Sequence, residues 1–444
     1  MKRLLYLATA ATFIASALFA KSPERTLITH AKIFDGVHDK PIEGKSILIE
    51  KNLIVKIDAN IKPDANTTVI DAKGHLLMPG LIDAHTHLMV VDDFEKAIYK
   101  DDQVYIAALA TEAAKRMLLR GFTTVRDAGG PVGGLKRAID EGIVPGPRIL
   151  PSNAFISQTG GHGDFNSAKS YLSPHFTGVP DKSEIYGWVK IADGVPEVQK
   201  AAREVLRSGA TQLKVMASGS VTGAHDPIDA TEYTYEELKA LVTEAAHWGT
   251  YVMVHAYGNS AVKNAIKAGV RSIEHGTMVD PETLKLMKEK DIWLSPQCIA
   301  SSKSVEEVGL KGTPAESKFL EVKKHADTIF KLAKKYGLKI AWGTDTFGSL
   351  EFQAAQSEEF IARKPYFSNL EILKQVTSEN AKLLALCGKR HPYQEGALGV
   401  IKEGAYADLI IVKGDPLKDV SVLAHPEENL LLIMKDGKVY KDAL

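Results

Sequence analysis

The sequence predicts an α/β fold, a TIM (β/α)8 barrel that carries a small β-sandwich domain built from both ends of the chain. Three observations predict it. From Gly80 onward, eight short apolar runs alternate with longer amphipathic stretches over roughly 300 residues, a pattern typical of a parallel sheet with crossover helices. Both flanks alternate apolar and polar residues with a period of two. The 444 residues, 45% of them hydrophobic, exceed the usual size of one domain.

The first element, residues 1–20, has the composition of an export signal. Lys2 and Arg3 precede an uncharged apolar stretch that ends on small residues, and the polar "KSPER" follows. We therefore expect a cleaved signal peptide and a periplasmic or secreted mature protein that is not membrane-bound. An uncleaved anchor is the alternative, disfavoured because a span needs ~20 apolar residues. The cleavage site stays open, since Leu18 stands where a small residue is preferred.

The second element is the small β domain, predicted from residues 21–79 together with residues 393–444. The first segment contains "SILIEKNLIVKID", and the second contains "ADLIIVKGDPLKDV" and a turn at Asp436 and Gly437. Neither segment alone is long enough for a stable core. Pairing them into one β-sandwich closes both and brings the two ends of the barrel together.

The third element, residues 80–392, is the predicted barrel. Amphipathic stretches such as "TYEELKALVTEAAHWG" separate its strands, this one ending on Gly249 as a helix C-terminus would. The least regular region, Ser157 to Gly194, follows the third strand, on the face where barrel enzymes carry their sites. The eight predicted strands are residues 80–88, 122–129, 147–153, 211–218, 250–257, 270–277, 291–298 and 338–346.

Composition narrows the class of partner. Lysine plus arginine and aspartate plus glutamate number 55 each, so the chain lacks the basic charge of a general nucleic-acid or membrane binder. We expect a small-molecule substrate and no nucleic-acid partner, and leave a homo-oligomer open. Cys298 and Cys387 are the only cysteines, so a metal site would need histidine and carboxylate ligands.

Five side chains able to bind metal stand at the ends of predicted strands. His85 and His87 are two residues apart on the first strand and project to the same face. His255 ends the fifth strand, His275 the sixth and Asp345 the eighth. Groups at the strand ends of a barrel converge on its axis, so these five are candidates for one metal centre. One such histidine alone is more often a packing residue; their matching positions favour a metal site.

Lys214 lies in the middle of the apolar fourth strand. One interpretation is a surface lysine whose methylenes cover apolar neighbours. A free ammonium, with a pKa near ~10.4, is incompatible with a pocket that holds two metal dications. Condensed with carbon dioxide, the amine becomes a carbamate whose two oxygens can each bind one metal.

These residues resemble the ligand set of the amidohydrolase superfamily, in its branch with a binuclear metal site. "MPGLIDAHTHL" and "GVIKEGAYADLIIV" are similar to the family's two junctions with its β domain, and "GGHGDF" and "KVMASGSVTG" resemble Xaa-Pro dipeptidases and the related ochratoxin-cleaving amidases and imidazolonepropionases. Histidine and carboxylate ligands without thiolate favour zinc, with manganese and cobalt as alternatives. The resemblance implies two divalent ions, Nζ-carboxylation of Lys214, and the metal ligands His85, His87, Lys214, His255, His275 and Asp345.

The resemblance also implies the catalytic roles. A hydroxide that bridges the metals attacks an amide carbonyl, while Asp345 takes the proton and returns it to the leaving amine. Tyr233 resembles the tyrosine that hydrogen-bonds the oxyanion in related peptidases, with Tyr235 as the alternative. His162, on a glycine-rich loop, is a candidate substrate contact. For Arg126 and Asp127 we expect a structural role at the barrel mouth.

The predicted function is a metal-dependent hydrolase that cleaves an amide bond of a small substrate, a dipeptide such as Xaa-Pro or an N-acyl amino acid. The alternatives are a hydrolase of cyclic amides, similar to imidazolonepropionase or a lactamase, and an ochratoxin-type amidase. A deaminase is disfavoured, because deaminases of this fold typically use one metal and lack the strand-four lysine. A non-catalytic binding protein on the same fold would be expected to lose ligands.

Overall fold

A computed structural model describes residues 25–165, 178–223 and 225–444. The predicted signal peptide, residues 1–20, lies outside the described residues, so its cleavage stays a prediction. No helix within the described ranges combines the length and the hydropathy that crossing a membrane requires.

The two ends of the chain form two sheets. Strands β1 (Arg25–Thr29), β3 (Ser46–Glu50), β4 (Leu53–Asp58) and β5 (Thr67–Asp71) make a four-stranded sheet in the order β4-β3-β1-β5. Strands β2 (Lys32–Ile33), β6 (Leu76–Pro79), β17 (Leu409–Val412), β18 (Leu430–Lys435) and β19 (Lys438–Asp442) make a second sheet in the order β19-β18-β17-β6-β2. Strand β6, from the first segment, pairs antiparallel with β17, from the last.

The inner faces of these two sheets share one hydrophobic core. Ile28 and Ile47 of the first sheet belong to the same buried cluster as Leu77, Ile411 and Leu432 of the second. Alternation with a period of two places residues of this kind on one face of each strand. The two terminal segments therefore bury their apolar faces against each other.

Ten further strands carry the parallel part of the fold. Strands β7 (Leu81–Thr86), β8 (Phe122–Asp127) and β9 (Arg148–Pro151) form one parallel sheet. A seven-stranded parallel sheet contains β10 (Phe155–Ser157), β11 (Val189–Ile191), β12 (Leu213–Met216), β13 (Val252–Gly258), β14 (Ser272–Met278), β15 (Trp293–Ser295) and β16 (Lys339–Ile340), in the order β11-β10-β12-β13-β14-β15-β16.

Backbone hydrogen bonds link these two sheets at two places, next to the edge strand β16 and next to β12. The Ala84 N–H donates to Trp342 O at 2.9 Å, and the Asp345 N–H donates to His85 O at 2.9 Å, beyond the end of β16. On the other side, the Thr211 N–H donates to Pro151 O at 2.8 Å. The strands thus follow one another around a ring, which is consistent with a TIM-like barrel.

Helices cover the outside of the parallel strands and begin at clear caps. Thr234 and Glu237 form a capping box, and the Asp280 side chain accepts from the Thr283 N–H. Gly249, predicted to end a helix, has a φ of 72° and lies two residues beyond the last helical residue, His247. The α-helices are Gln103–Leu119, Gly133–Asp140, Lys182–Ile185, Gly194–Arg207, Tyr235–His247, Asn259–Ala268, Pro281–Glu289, Cys298–Ser302, Ala315–Lys335, Leu350–Ala354, Glu359–Arg363, Asn369–Lys374, Asn380–Leu384 and Pro426–Asn429. Shorter π- and 3-10 segments span Lys96–Lys100, Ala355–Glu358, Gln375–Glu379, Ala385–Arg390 and Val420–Ala424.

Candidate metal centre and substrate cavity

A cavity of about 810 Å³ opens where the parallel strands end. Its wall contains all six residues predicted as metal ligands: His85, His87, Lys214, His255, His275 and Asp345. They come from β7, the residue directly after β7, β12, β13, β14 and the segment after β16. The fold therefore brings to one cavity side chains that are widely separated along the chain, from the first strand of the parallel part to the segment after its last.

Hydrogen bonds from Nδ1 orient His85, which lies in β7, and His87, which follows the end of β7. His85 Nδ1 donates to Glu274 Oε2 at 2.7 Å, and His87 Nδ1 donates to Gly129 O at 3.1 Å. Each ring therefore turns its Nε2 toward Asp345, whose Oδ1 lies 3.5 Å from His85 Nε2 and 3.3 Å from His87 Nε2. Fixing Nδ1 as the donor leaves Nε2 with a free lone pair, as a metal ligand requires.

Asp345 completes a three-ligand group with these histidines. One of its oxygens and one nitrogen of each histidine all lie within 4.8 Å of one another. His85 Nε2 and Asp345 Oδ1 are buried, and neither has a hydrogen-bond partner among the described residues. Burial alone would raise the pKa of Asp345, but His85 and His87 outweigh it and lower that pKa. A buried anion with two imidazoles facing it suits a divalent cation.

His255 and His275 lie beside this group. Their ring centroids are 4.5 Å apart, and the His275 centroid is 5.3 Å from that of His85. His255 Nε2 lies 3.3 Å from Gly219 O, which leaves Nδ1 as the nitrogen available to a metal. Burial lowers the pKa of His275 to about 3 and that of His85 to about 4, so both rings are neutral near pH 7.

Lys214 is buried on β12, with 1% of its surface exposed, which excludes a surface lysine. Burial lowers the pKa of its amine to about 8, while Glu274 and Asp345 pull in the opposite direction. At pH 7, about a tenth of the amine is therefore neutral. Only the neutral amine is nucleophilic toward carbon dioxide, so this environment suits a carbamate.

A buried ion pair between Arg126 and Glu274 contacts His85, one of the predicted metal ligands. Arg126 donates to both oxygens of Glu274, at 2.9 and 3.0 Å, and its Nε donates to Ala84 O at 2.6 Å. Arg126 and Glu274 are both fully buried. This contact agrees with the structural role expected for Arg126. Asp127 likewise accepts from the Leu88 and Gly129 N–H groups and holds the turn after β7.

Sequence reasoning missed Glu274. It lies next to His275 in "SIEHGT", and an acidic residue inside a buried strand was the available signal. Because an unpaired carboxylate is seldom fully buried, its position already indicated a partner such as Arg126 or His85.

His162 lies in the cavity wall, as predicted, on the loop after β10. Its ring is 4.5 Å from that of His255, and its Nδ1 is 3.4 Å from Asp226 Oδ2, an ion-pair distance. Its backbone N–H donates to Glu232 Oε1 at 2.8 Å. Asp226, which sequence reasoning also missed, accepts from the Ser220 N–H at 2.6 Å. His162 is thus positioned to contact a ligand beside His255.

The prediction that Tyr233 hydrogen-bonds the oxyanion is wrong, because the Tyr233 side chain does not line the cavity. Its side chain is buried, and its hydroxyl donates to Ala192 O at 3.0 Å. Within the described ranges, neither Tyr233 nor Tyr235 lines the cavity. The backbone at Tyr233 has a φ of 62°, in the turn before helix Tyr235–His247, which directs the ring away from the strand ends.

Tyr257 occupies the cavity instead. Its ring stacks on that of His275, with centroids 5.0 Å apart and planes 20° from parallel. Tyr257 follows His255 by two residues on β13, so the period of two was a signal that both side chains share a face.

The chain is similar to known hydrolases over most of its length. Residues 76–440 match the model of the Amidohydrolase family. The ochratoxinase of Aspergillus niger is 33% identical over 90% of this chain and 84% of its own length. Two solved structures align over 94% of this chain and their full length at 33% identity: a prolidase complexed with N-methylphosphonate-L-proline, with a TM-score of 0.86, and a Xaa-Pro dipeptidase with bound methionine, with a TM-score of 0.81.

Proposed function

The chain belongs to the amidohydrolase family and is a hydrolase of amide bonds, and from this premise we propose that it cleaves a dipeptide of the Xaa-Pro type or an N-acyl amino acid. The observation that carries the proposal is the convergence of His85, His87 and Asp345 beside His255 and His275 in one cavity. The match to hydrolases over most of the chain argues against a non-catalytic binding protein.

We propose two zinc ions as the cofactor. His85, His87 and Asp345 would hold one ion, His255 and His275 the other, and carboxylated Lys214 would join them. The unpartnered His85 Nε2 and Asp345 Oδ1 fit this assignment, as does a donor set without thiolate. When bound, the metal pair supplies Lewis acidity and an activated water at neutral pH.

The remaining chemistry belongs to residues of the chain. Asp345, next to both β7 histidines, accepts the proton of the attacking water at a carboxylate oxygen and passes it to the leaving amine. Tyr257, rather than Tyr233, is placed to donate its hydroxyl to the developing oxyanion. His162 has Nδ1 beside Asp226, so its Nε2 is the nitrogen left for the substrate, and it donates to a substrate carboxylate when both ring nitrogens carry a proton.

An ochratoxin-type amidase is the second candidate. The ochratoxinase of Aspergillus niger is 33% identical over 90% of this chain, and aromatic side chains line part of the cavity.

The test compares hydrolysis of a Xaa-Pro dipeptide with that of its C-terminal amide by the zinc-loaded enzyme. If His162 receives the carboxylate, amidation costs about 1.5–3 kcal/mol in kcat/KM, the scale of a hydrogen bond to a charged group. His162→Ala removes most of this preference. The control is His325→Ala on the exterior of helix Ala315–Lys335, where the side chain is 42% exposed. Equal rates on acid and amide would leave a general amidase or a hydrolase of cyclic amides.

The proposal includes the export and architecture expected from the sequence. We propose a periplasmic or secreted enzyme whose mature chain begins near Lys21, with a β-sandwich from residues 21–79 and 393–444 and a (β/α)8 barrel from residues 80–392. The shared core of the two terminal sheets and the ring of parallel strands support this division. Mass spectrometry of the exported protein tests the start, and an intact Met1 on membrane-bound protein would contradict it.

A further inference from the structure

We propose that the residue on the acyl side of the scissile amide is aromatic, and that its ring binds a surface formed by Phe94, Phe165 and Phe347, here called the aromatic wall. This inference rests on the proposed function, because it assigns a direction to a substrate held over the predicted metal ligands. It adds a substrate class that the ligand residues alone do not specify.

The aromatic wall lies on the His87 side of the cavity. Phe347 meets His87 edge to face, with centroids 5.8 Å apart and planes at 82°. Phe94 lies 5.6 Å from Phe347 and stacks on Phe165 at 5.2 Å. All three rings are half-buried and line the cavity. They come from the segments after β7, β10 and β16, so three separate loops build one apolar surface.

A second layer of rings supports this surface. Trp188 is fully buried and meets Phe94 edge to face at 6.2 Å, and buried Phe155 lies 5.9 Å from Phe165. A packed backing limits how far Phe94 and Phe165 can retreat. The aromatic wall therefore presents a fixed face to the cavity.

The opposite side of the ligand group is polar. His162 lies against His255, with Asp226 next to it. His87 therefore lies at the apolar end of the site and His255 at the polar end. A substrate whose carboxylate is at His162 and whose carbonyl is at the ligand group extends its acyl side toward the aromatic wall. The aromatic group consequently belongs to the first residue of a dipeptide, not to its second.

Physical chemistry favours a flat, uncharged ring at this place. Aromatic pairs gain from edge-to-face and offset contacts beyond the burial of apolar area, so a phenyl ring gains more here than a methyl group. Asp92 and Asp93 line the same end of the cavity, and their charge disfavours an acidic side chain. Phenylalanine or tyrosine is therefore preferred over alanine and over glutamate.

The test measures kcat/KM for Phe-Pro, Ala-Pro and Glu-Pro with zinc-loaded wild type and Phe94→Ala. We expect the wild type to prefer Phe-Pro over Ala-Pro by at least about tenfold, and Glu-Pro to be the poorest substrate. In Phe94→Ala the ratio of kcat/KM for Phe-Pro to that for Ala-Pro falls below about threefold, mainly through a higher KM for Phe-Pro. The control is Tyr105→Ala, which removes an exposed ring from helix Gln103–Leu119.

Any of three results would overturn the proposal. The first is equal kcat/KM for Phe-Pro and Ala-Pro in the wild type, and the second is a preference that Phe94→Ala leaves unchanged. The third is an aromatic preference confined to the amine side, seen as faster cleavage of Ala-Phe than of Ala-Ala without any preference for Phe-Pro. Thermal melting and zinc content show whether Phe94→Ala is folded. If it is not, Phe94→Leu, which keeps an apolar side chain, takes its place.

A binding measurement separates this inference from the proposed function. L-Phenylalanine and L-alanine, the products of the acyl side, are titrated calorimetrically into the zinc-loaded protein. Binding of L-phenylalanine at least about tenfold tighter, and dependent on Phe94, supports the aromatic wall even if none of the dipeptides is hydrolysed. Absence of that difference contradicts it, whatever the activity.

Discussion

The Glu274 side chain links His85, a predicted metal ligand, to Arg126 in the barrel interior. It accepts from His85 Nδ1 on one side and from Arg126 on the other, and all three side chains are buried. Burial would raise the pKa of Glu274, but Arg126 and His85 lower it well below the usual range, so it stays a carboxylate. A fixed anion behind a ligand histidine holds both its tautomer and its orientation.

Glu274→Gln is therefore expected to weaken zinc binding about 10–100-fold, because an amide holds the His85 tautomer less firmly than a carboxylate does. Competition with a chelating indicator measures the affinity directly, without reliance on turnover. The matched control is Glu289→Gln, whose side chain is 66% exposed. Zinc affinity equal to that of the wild type would show that Glu274 does not orient His85.

Asp345→Asn separates metal binding from proton transfer. The variant keeps His85 and His87 but loses the group that accepts a proton, so kcat falls about 10²–10⁴-fold while zinc is retained. Metal analysis and steady-state kinetics on the same sample measure both. Unchanged kcat would assign the proton transfer to another residue.

Lys214 makes the metal-free protein sensitive to pH. Its pKa is lowered from 10.5 to about 8, which corresponds to about 3 kcal/mol of destabilisation while the buried amine is charged. Between these two values the unfolded chain binds more protons than the folded one, so stability rises with pH. Without metal, the free energy of unfolding of the wild type, measured relative to that of Lys214→Met, should rise from about pH 8 to about pH 10.5. Urea denaturation at several pH values measures this, and a constant difference would contradict it.

At the scale of elements, helix Ala315–Lys335 fastens the segment that carries Asp226. Lys318 Nζ donates to Gly223 O and to Asp226 O, both at 2.7 Å. Asp226 in turn faces His162. One lysine therefore connects an outer helix to the polar end of the cavity.

Lys318→Met should loosen this segment and raise KM for a dipeptide with a free carboxylate by about threefold to tenfold, which corresponds to about 0.7–1.4 kcal/mol, the net contribution of a typical hydrogen bond. Hydrogen exchange of the peptide that contains residues 219–223 should accelerate. Lys331→Met, exposed on the same helix and paired with Asp327, is the control. Unchanged exchange and KM would show that the contact does not constrain the segment.

Elements with a strong periodic pattern were predictable, and elements fixed by tertiary contacts were not. The apolar runs of β7, β8, β12, β13 and β14 largely coincide with the predicted strands because burial on both faces leaves a continuous signature. Strands β10 and β11 have three residues each and lie partly in the irregular region, where no pattern distinguishes them. Tyr233 illustrates the same limit, since a tertiary contact, the hydrogen bond from its hydroxyl to Ala192 O, holds its ring outside the cavity.

At the scale of the whole molecule, a buried ion pair joins the terminal sheets to the parallel strands. Arg148 on β9 donates to Asp408 Oδ2 at 2.9 Å, next to β17, and its guanidinium lies 3.8 Å from the Tyr406 ring centroid. Arg148 and Asp408 are both buried. Burial would lower the pKa of Arg148, but Asp408 outweighs it, so the charge is kept.

Asp408→Asn tests whether the two parts of the molecule unfold together. The substitution leaves the buried Arg148 with Asp436 as its remaining charged partner, so the expected cost is about 1–3 kcal/mol, below the ~3–5 kcal/mol of a fully broken buried pair. If the parts form one cooperative unit, urea unfolding followed by circular dichroism and by tryptophan fluorescence shows one coincident transition, shifted to lower urea in the variant. The control is Arg137→Leu, whose side chain is 79% exposed and whose loss should change stability by less than about 0.5 kcal/mol. Two separated transitions in the wild type would show instead that the terminal sheets and the parallel strands are independent, and that the Arg148 contact only docks one against the other.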